Sequence, residues 1–97
     1  MRQSYVYMMV NHKNGTIYIG STTDIQTRVW EHKTKAIPKS FTARYGCDRL
    51  AYFETFDHIA DARQREKALK RYKRAWKIKL IETDNPNWGD LPLRWDD

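Results

Sequence analysis

Residues 5–20 read YVYMMVNHKNGTIYIG, two β-prone runs on either side of Asn14-Gly15. Asn-Gly in this setting strongly favours a hairpin, because a type I′ turn needs φ > 0 at both central positions. With these two residues at the centre of the turn, the register predicts Tyr7 opposite Thr22. The chain is therefore expected to begin with two antiparallel strands.

The predicted hairpin brings two phenols together on one face of a sheet. Side chains alternate along a strand and directly opposed residues share a face, so Tyr7, Tyr18 and Gly20 are expected side by side. Two phenols beside a bare glycine would line a polar pocket. Tyrosine is also a common strand residue, and an internal glycine often marks a bulge or a tight packing point, so the hairpin alone favours a structural role.

The remaining pattern predicts an α+β fold, a small three-stranded antiparallel sheet flanked by helices in the order β-β-α-β-α-α. The elements expected after the hairpin are a helix over 25–33, a short turn of helix from Ser40 to Tyr45 ended by Gly46, a strand over 49–56 and a long helix capped by Asp57. Residues 84–97 carry several turn signals and are expected to form an irregular tail. Residues 1–97 contain no repeat or linker, so a single domain is predicted.

The long helix carries two apolar stripes that differ in phase. The stripes are Ile59, Ala62 and Leu69, followed by Tyr72, Trp76 and Leu80. This change of phase predicts a bend or break near Tyr72 or Lys73.

Composition narrows the class of protein. The longest apolar run, over 5–10, is far shorter than the roughly 20 residues of a membrane span, so no membrane association and a cytoplasmic location are expected. The single cysteine, Cys47, cannot form an internal disulfide and is expected to be a packing residue. The histidines lack zinc-site spacing; they are His12, His32 and His58.

The net charge of +6 is concentrated in one segment. Residues 63–79 hold nine bases and one acid, Glu66, a net charge of +8, whereas the rest of the chain sums to −2. Positive charge gathered on one helical segment is typical of a surface that follows a polyphosphate backbone, although a charge run is also commonly a solvated helix face.

Glu66 is the most informative acid of the chain. Its spacing from Ala62 and Leu69 places it on the stripe that faces the core, where a carboxylate is costly unless it is paired or binds a cation. Two interpretations stay open on the pattern alone. One is a salt bridge to Arg28 or a neighbouring lysine; the other is a Mg²⁺ ligand, because Mg²⁺ needs few protein carboxylates.

Arg28 and His32 are four residues apart on the first helix, beside its apolar positions. The planar fork of an arginine suits a phosphate, and a histidine accepts or relays a proton near neutral pH. Both residues also have structural interpretations, since an arginine stem often packs on a core and a lone histidine is usually a packing residue.

Together these residues resemble the GIY-YIG nuclease superfamily, especially its short stand-alone bacterial members. The resemblance covers roughly residues 4 to 88 and rests on Tyr5-Val6-Tyr7, Tyr18-Ile19-Gly20, Arg28, His32, Ser40-Phe41-Thr42, Tyr45-Gly46, Arg65-Glu66-Lys67 and Asn85-Pro86-Asn87-Trp88. The first triplet has Tyr5 where the family label has glycine and Val6 where it has isoleucine, while Tyr7 occupies the position expected to matter.

The resemblance implies a metal-dependent endonuclease that hydrolyses DNA phosphodiester bonds by a one-metal mechanism. Glu66 would hold one Mg²⁺ or Mn²⁺, and Arg28 would bind the scissile phosphate. Tyr7 or Tyr18 would orient or deprotonate the attacking water, helped by His32, Arg28 or the metal, because a free phenol has a pKa of about 10. The implied substrate-binding residues are Gly20, Ser40, Arg63, Lys67, Lys70, Arg71, Lys73, Arg74 and Asn85.

Two other classes of function stay open. The first is a nucleic-acid-binding module that keeps the fold but cleaves little, with Trp30 or Tyr45 stacking on bases. The second is a protein-interaction domain whose basic face only keeps it soluble. For the nuclease, branched DNA, single-stranded DNA and RNA all stay within the predicted substrate range, and no oligomeric state is predicted.

Overall fold

The computed structural model describes residues 3–93, which form a three-stranded antiparallel sheet with helices on both faces. The strands are β1 (Ser4–Val10), β2 (Ile17–Thr22) and β3 (Arg49–Phe56). The helices are α1 (Ile25–Thr34), α2 (Phe41–Tyr45), α3 (Ile59–Arg71) and α4 (Arg74–Asp84). The sheet order is β2-β1-β3, so β2 and β3 are the two edges. The predicted α+β architecture is confirmed.

The hairpin between β1 and β2 has a longer loop than the predicted two-residue turn. Tyr7 pairs with Gly20 rather than with Thr22, so the predicted register was wrong by two residues. The side chain of Asn11 causes the difference: its Oδ1 accepts hydrogen bonds from the backbone N–H groups of His12 and Thr16, at 2.8 and 2.9 Å, and replaces ladder bonds. A shift of two residues preserves the alternation of side chains, so the predicted face is correct.

Each face of the sheet has its own core, because β1 is the central strand and is buried on both sides. Val6, Met8 and Val10 pack with residues of α3 and α4, including Leu69 and Ile81. The alternate residues of β1 face the opposite way. Tyr5, Tyr7 and Met9 pack with Ile25 and Val29 of α1, and with Cys47 and Leu50. The sheet therefore separates the α1 side of the molecule from the α3 side.

The short helix α2 follows its sequence signals closely. Ser40 is its N-cap, with Oγ accepting from the backbone N–H of Ala43 at 3.3 Å, and Gly46 ends it with φ of 67°. Both features were predicted, and they set the orientation of Thr42, which is buried between α2 and α1. Cys47 follows directly and is buried; burial raises the pKa of its thiol to about 11, which fits the predicted packing role.

The basic segment forms two helices. The predicted break is confirmed, since α3 ends at Arg71 and α4 begins at Arg74. Asp57 is not the N-cap of α3, because His58 holds that position without a side-chain cap bond. The second apolar stripe was predicted correctly at Tyr72 and Leu80, which are half-buried against the core, and incorrectly at Trp76, which is 55% exposed. The fully buried residue of α4 is Ile81.

The segment after α4 has no helix or strand among residues 85–93, as predicted, and the remaining four residues of the predicted tail lie outside the described part of the chain. This segment is nonetheless well anchored. Trp88 is fully buried in the core on the α3 side, and Leu91 donates its backbone N–H to the Leu50 carbonyl at 2.8 Å. Across residues 3–93, no helix has the length and apolar character that a membrane span requires.

Candidate active site

The site begins with Tyr7 of β1 and Gly20, which lies directly opposite on β2. A methyl group added at Gly20 would lie 2.8 Å from the Tyr7 hydroxyl oxygen and 3.0 Å from the Tyr18 ring. Glycine is therefore required so that the Tyr7 ring can cross the neighbouring strand. Gly20 thus has a packing role, and its contact with substrate stays a prediction.

A chain of hydrogen bonds leads from Tyr7 into α1 and α2. The Tyr7 hydroxyl lies 2.9 Å from His32 Nε2, and His32 Nδ1 lies 2.7 Å from the Thr42 hydroxyl. Thr42 in turn lies 3.3 Å from the hydroxyl of Ser40. Both ring nitrogens of His32 are thus engaged. Thr42 is a site residue that the motif analysis did not select, although its place two residues after the Ser40 cap was a usable signal.

Burial sets the protonation states of Tyr7 and His32. Burial and the nearby charge of Arg28 lower the pKa of His32 to about 4, so its imidazole is neutral at pH 7. Burial also raises the pKa of Tyr7 well above its ordinary value; Tyr18 adds to this rise and Arg28 opposes it. Tyr7 and His32 therefore form a neutral hydrogen-bonded pair in the resting protein.

Arg28 brings a positive charge with free bonding capacity to the same place. Its Nε is buried and has no hydrogen-bond partner within residues 3–93, since the nearest carboxylate oxygen, on Glu31, is 3.7 Å away. Burial disfavours the charge of Arg28, but the phenols of Tyr7 and Tyr18 outweigh this effect and raise its pKa. A buried N–H of a charged group is costly when it is unpaired, and an anion bound here would satisfy it.

Beside these residues lies a partly enclosed cavity of about 90 Å³. Its lining residues are Tyr18, Arg28, Glu31, His32, Ile37, Ser40, Phe41 and Thr42. The rings of Tyr7, Tyr18 and His32 have centroids 5.3 to 6.2 Å apart. The structure thus brings together four of the predicted catalytic residues, and places Ser40 in the same wall.

Glu66 does not line this cavity. It is on α3, and its carboxylate accepts hydrogen bonds from the Ser21 hydroxyl and, at 2.6 Å, from the Lys70 ammonium. Its side chain is 20% exposed. Burial favours its neutral form, but the bonds from Lys70 and Ser21 and the charge of Arg63 hold its pKa below the ordinary value. The predicted pairing with a neighbouring lysine is confirmed, and the carboxylate is ionised at neutral pH.

The sheet separates Glu66 from the phenols, because Ser21 points to the α3 side and Tyr18 to the α1 side. Glu66 therefore lies on the opposite side of the sheet from Tyr7, Tyr18 and His32. The two sides meet at the free edge of β2. There a groove of about 240 Å³ is lined from both sides, by Ile17, Tyr18, Ile19, Phe41, Lys70 and Lys77.

The predicted substrate-binding bases divide into two groups. Arg63, Lys67, Arg71 and Lys73 are exposed on α3 and at the start of α4. Two others have partners within the protein. Lys70 pairs with Glu66, and the Arg74 guanidinium donates to the backbone carbonyls of Asn14 and Gly15, at 2.7 and 2.6 Å. Arg74 therefore anchors the hairpin loop, and its role on the substrate stays a prediction.

Asn85 is also removed from the site. Its amide donates to the backbone carbonyls of Ala51, at 3.1 Å, and Gly89, at 2.8 Å, next to β3. Because β3 is the edge opposite β2, Asn85 holds the C-terminal segment in place and does not line the cavity. Its role in substrate binding stays a prediction.

Among the described residues, no three His, Cys, Asp or Glu side chains come together as a metal cluster. A structural zinc site would need such a cluster. A hard cation such as Mg²⁺ has a smaller requirement, since one carboxylate with waters and phosphate oxygens is enough.

Comparisons with known proteins agree with this geometry. Residues 3–79 match the family described as the GIY-YIG catalytic domain. A UPF0213 protein of Syntrophus aciditrophicus is 30% identical over 86 residues, which are 89% of this chain and 97% of that protein. A UPF0213 protein of Haloquadratum walsbyi is 37% identical over 78 residues, 80% of this chain and 85% of that protein.

A solved structure is also similar. The solution NMR structure of a UPF0213 protein from Bacillus halodurans superposes with a TM-score of 0.51 at 28% identity, and the match covers 84% of each chain. The family match spans most of the present chain and includes every strand of the sheet. This chain therefore belongs to the GIY-YIG catalytic domain family.

Proposed function

We propose that this chain is an endonuclease that hydrolyses DNA phosphodiester bonds with one divalent ion, Mg²⁺ or Mn²⁺. The observation that carries the proposal is the buried, unpaired Nε of Arg28 beside the neutral pair of Tyr7 and His32. An anion-binding group next to a proton-transfer pair is the arrangement that phosphoryl chemistry needs. Membership of a nuclease family supports the same conclusion.

Arg28 binds the scissile phosphate in this proposal. The two phenols raise the pKa of the Arg28 guanidinium above its ordinary value, so the group stays charged at any working pH. The Arg28 side chain as a whole is 42% exposed and lines the cavity, while its Nε–H is shielded from water. Its charge there would offset the negative charge that develops in the transition state.

Tyr7 and His32 hold the attacking water and share the proton that it releases. The Tyr7 hydroxyl supplies both a donor and an acceptor, and His32 Nε2 accepts from it when Nδ1–H donates to Thr42. Arg28 is one of the two causes that lower the His32 pKa. A phosphate bound to Arg28 would offset this charge and make His32 a better base.

Glu66 fits a one-carboxylate site for the divalent ion. The carboxylate is ionised and partly exposed, and the Ser21 hydroxyl beside it would offer a second oxygen of the kind that hard cations accept. When bound, the ion would supply charge stabilisation at the leaving 3′ oxygen. Lys70 has to leave the carboxylate for this to happen, and as an exposed lysine it is free to turn toward the substrate.

The exposed bases of α3 and α4 bind the DNA backbone. Four of these bases form no ion pair within residues 3–93: Arg63, Lys67, Arg71 and Lys73. They can therefore bind DNA phosphates without first breaking an internal ion pair. Each phosphate neutralised in this way releases counterions, so binding should weaken steeply as salt rises.

The direct test is cleavage of plasmid and branched DNA with Mg²⁺ or Mn²⁺. Wild type should nick, whereas EDTA and the Glu66→Ala variant should reduce the rate to background. Asp61→Ala is the matched control, because Asp61 is an exposed acid on the same helix. Equal background from wild type and Glu66→Ala, under every metal and substrate tried, would refute the proposal.

The ion pair of Glu66 with Lys70 also favours a second candidate, a nucleic-acid-binding module with little cleavage, since Lys70 occupies the carboxylate that the ion needs. This candidate predicts salt-sensitive DNA binding by wild type with no strand scission. The nicking assay and a binding assay on the same protein separate the two functions.

A further inference from the structure

The helix α2 carries a pair of exposed aromatic rings that the catalytic proposal does not use. Phe41 is 43% exposed and Tyr45 is 49% exposed. They are four residues apart, on the same face of the helix, and their ring centroids are 4.7 Å apart. Exposed aromatic pairs of this kind often mark a binding surface, because a partner that covers the rings removes their apolar surface from water, which is favourable.

The pair continues directly into the candidate active site. The Phe41 ring lies 5.9 Å from the Tyr18 ring, which lies 5.3 Å from His32. Phe41 also lines both the cavity that contains Arg28 and the groove at the free edge of β2. A nucleotide whose phosphate binds Arg28 therefore has this aromatic surface as its immediate neighbour.

Positive charge surrounds the aromatic surface and favours an anionic partner. The guanidinium of Arg44 lies 5.9 Å from the Tyr45 ring centroid, and Lys70 and Lys77 line the groove beside Phe41. A second copy of the chain would place Arg44, Lys70 and Lys77 against like charges, so it suits this surface less well than an anion does. The partner that suits both the rings and the charges is a nucleic acid strand.

We propose that Phe41 and Tyr45 stack on an unpaired nucleobase next to the phosphate at Arg28, so that the substrate is single-stranded or locally unpaired DNA. This inference rests on the proposed nuclease function. In a duplex, both faces of each base are covered by its stacked neighbours, so a base can reach Phe41 only after leaving the stack. Phosphate contacts alone would not distinguish an unpaired strand from a duplex.

The test compares oligonucleotides that carry the same charge but differ in their bases. Binding of the full chain, as Glu66→Ala in EDTA so that nothing is cut, is measured by fluorescence anisotropy. The probes are an oligothymidylate, an abasic phosphodiester strand of equal length and a duplex. The thymidine strand should bind about five- to 100-fold more tightly than the abasic strand. It should also bind more tightly per phosphate than the duplex.

Variants assign the preference to the two rings. Phe41→Ala and Tyr45→Ala should remove the preference for bases while leaving affinity for the abasic strand unchanged, and Phe41→Trp should retain it. Trp76→Ala is the matched control, because Trp76 is an exposed aromatic residue on α4 that lines neither the cavity nor the groove. Circular dichroism confirms that each variant is folded.

Three outcomes would overturn the inference: equal affinity for the thymidine and abasic strands, duplex binding at least as tight as single-strand binding, or a dimer that Phe41→Ala dissociates. Because binding is measured without metal, the result is independent of cleavage. A base preference in a protein that never nicks DNA would sustain this inference and refute the nuclease.

Discussion

The Tyr7 hydroxyl lies 2.9 Å from His32 Nε2, and both residues are buried. Tyr7 comes from the central strand and His32 from the helix that packs on it, so this bond joins the two elements at the base of the cavity. It explains why a glycine lies opposite Tyr7, since the ring must cross β2 to reach the histidine.

Removing the Tyr7 hydroxyl should damage activity more than the fold. Tyr7→Phe leaves His32 Nε2 without its partner, which should cost about 1–3 kcal/mol of stability. If the pair handles the proton of the attacking water, the cleavage rate should fall about 10²–10⁴-fold. Tyr52→Phe, which removes another phenol far from the cavity, should leave the rate per folded molecule unchanged. Equal effects of the two variants on rate would contradict the role of Tyr7.

Stability should fall in mild acid because of His32. Its pKa is about 4 in the folded protein and about 6.5 when unfolded, so between these values the unfolded state binds more protons. The neutral histidine thus stabilises the fold fully above about pH 6.5, and this contribution, on the order of 3 kcal/mol, is lost as the pH falls toward 4. Chemical denaturation of wild type and His32→Gln at pH 7.5 and 4.5 measures it. A wild type that loses no more stability than the variant would contradict the prediction.

Lys70 should compete with the divalent ion for Glu66. Lys70→Met removes the ammonium at 2.6 Å, so the pKa of Glu66 should rise toward its ordinary value while the carboxylate stays ionised at neutral pH. The concentration of Mg²⁺ at half-maximal cleavage should then decrease several-fold, and calorimetry of metal binding should show the same change. Lys67→Met, on the same helix but without an ion pair to Glu66, is the control. An unchanged or higher Mg²⁺ midpoint would refute this competition.

A methyl group at Gly20 should disturb the site directly. Gly20→Ala places a carbon 2.8 Å from the Tyr7 hydroxyl oxygen, and relief of this clash must move the buried ring. The expected loss of stability is about 1–3 kcal/mol, accompanied by a loss of cleavage. Gly89→Ala is the matched control, because the nearest atom to an added carbon there is 3.7 Å away. A stable, fully active Gly20→Ala protein would show that the Tyr7 position is not required.

Local signals in the sequence were sufficient for most of the fold. The break near Tyr72, the Ser40 and Gly46 ends of α2 and the third strand all follow from cap, turn and periodicity patterns that act within a few residues. The hairpin register could not be predicted from such local patterns, because the Asn11 side chain replaced ladder hydrogen bonds and lengthened the loop. Such a side chain competes with the backbone through hydrogen bonds that propensity alone does not contain.

From the sequence, Tyr7, Tyr18, Arg28, His32 and Glu66 could be selected as candidate catalytic residues, because together they resemble the motifs of a known family. Their arrangement in space could not be predicted and comes from the tertiary structure. It buries Tyr7 and His32 as a neutral pair, joins them to Thr42, and puts Glu66 across the sheet with Ser21 and Lys70. These relations depend on contacts between segments that are distant in the sequence. The pKa values are set by desolvation and charge pairing, which exist only after those segments pack.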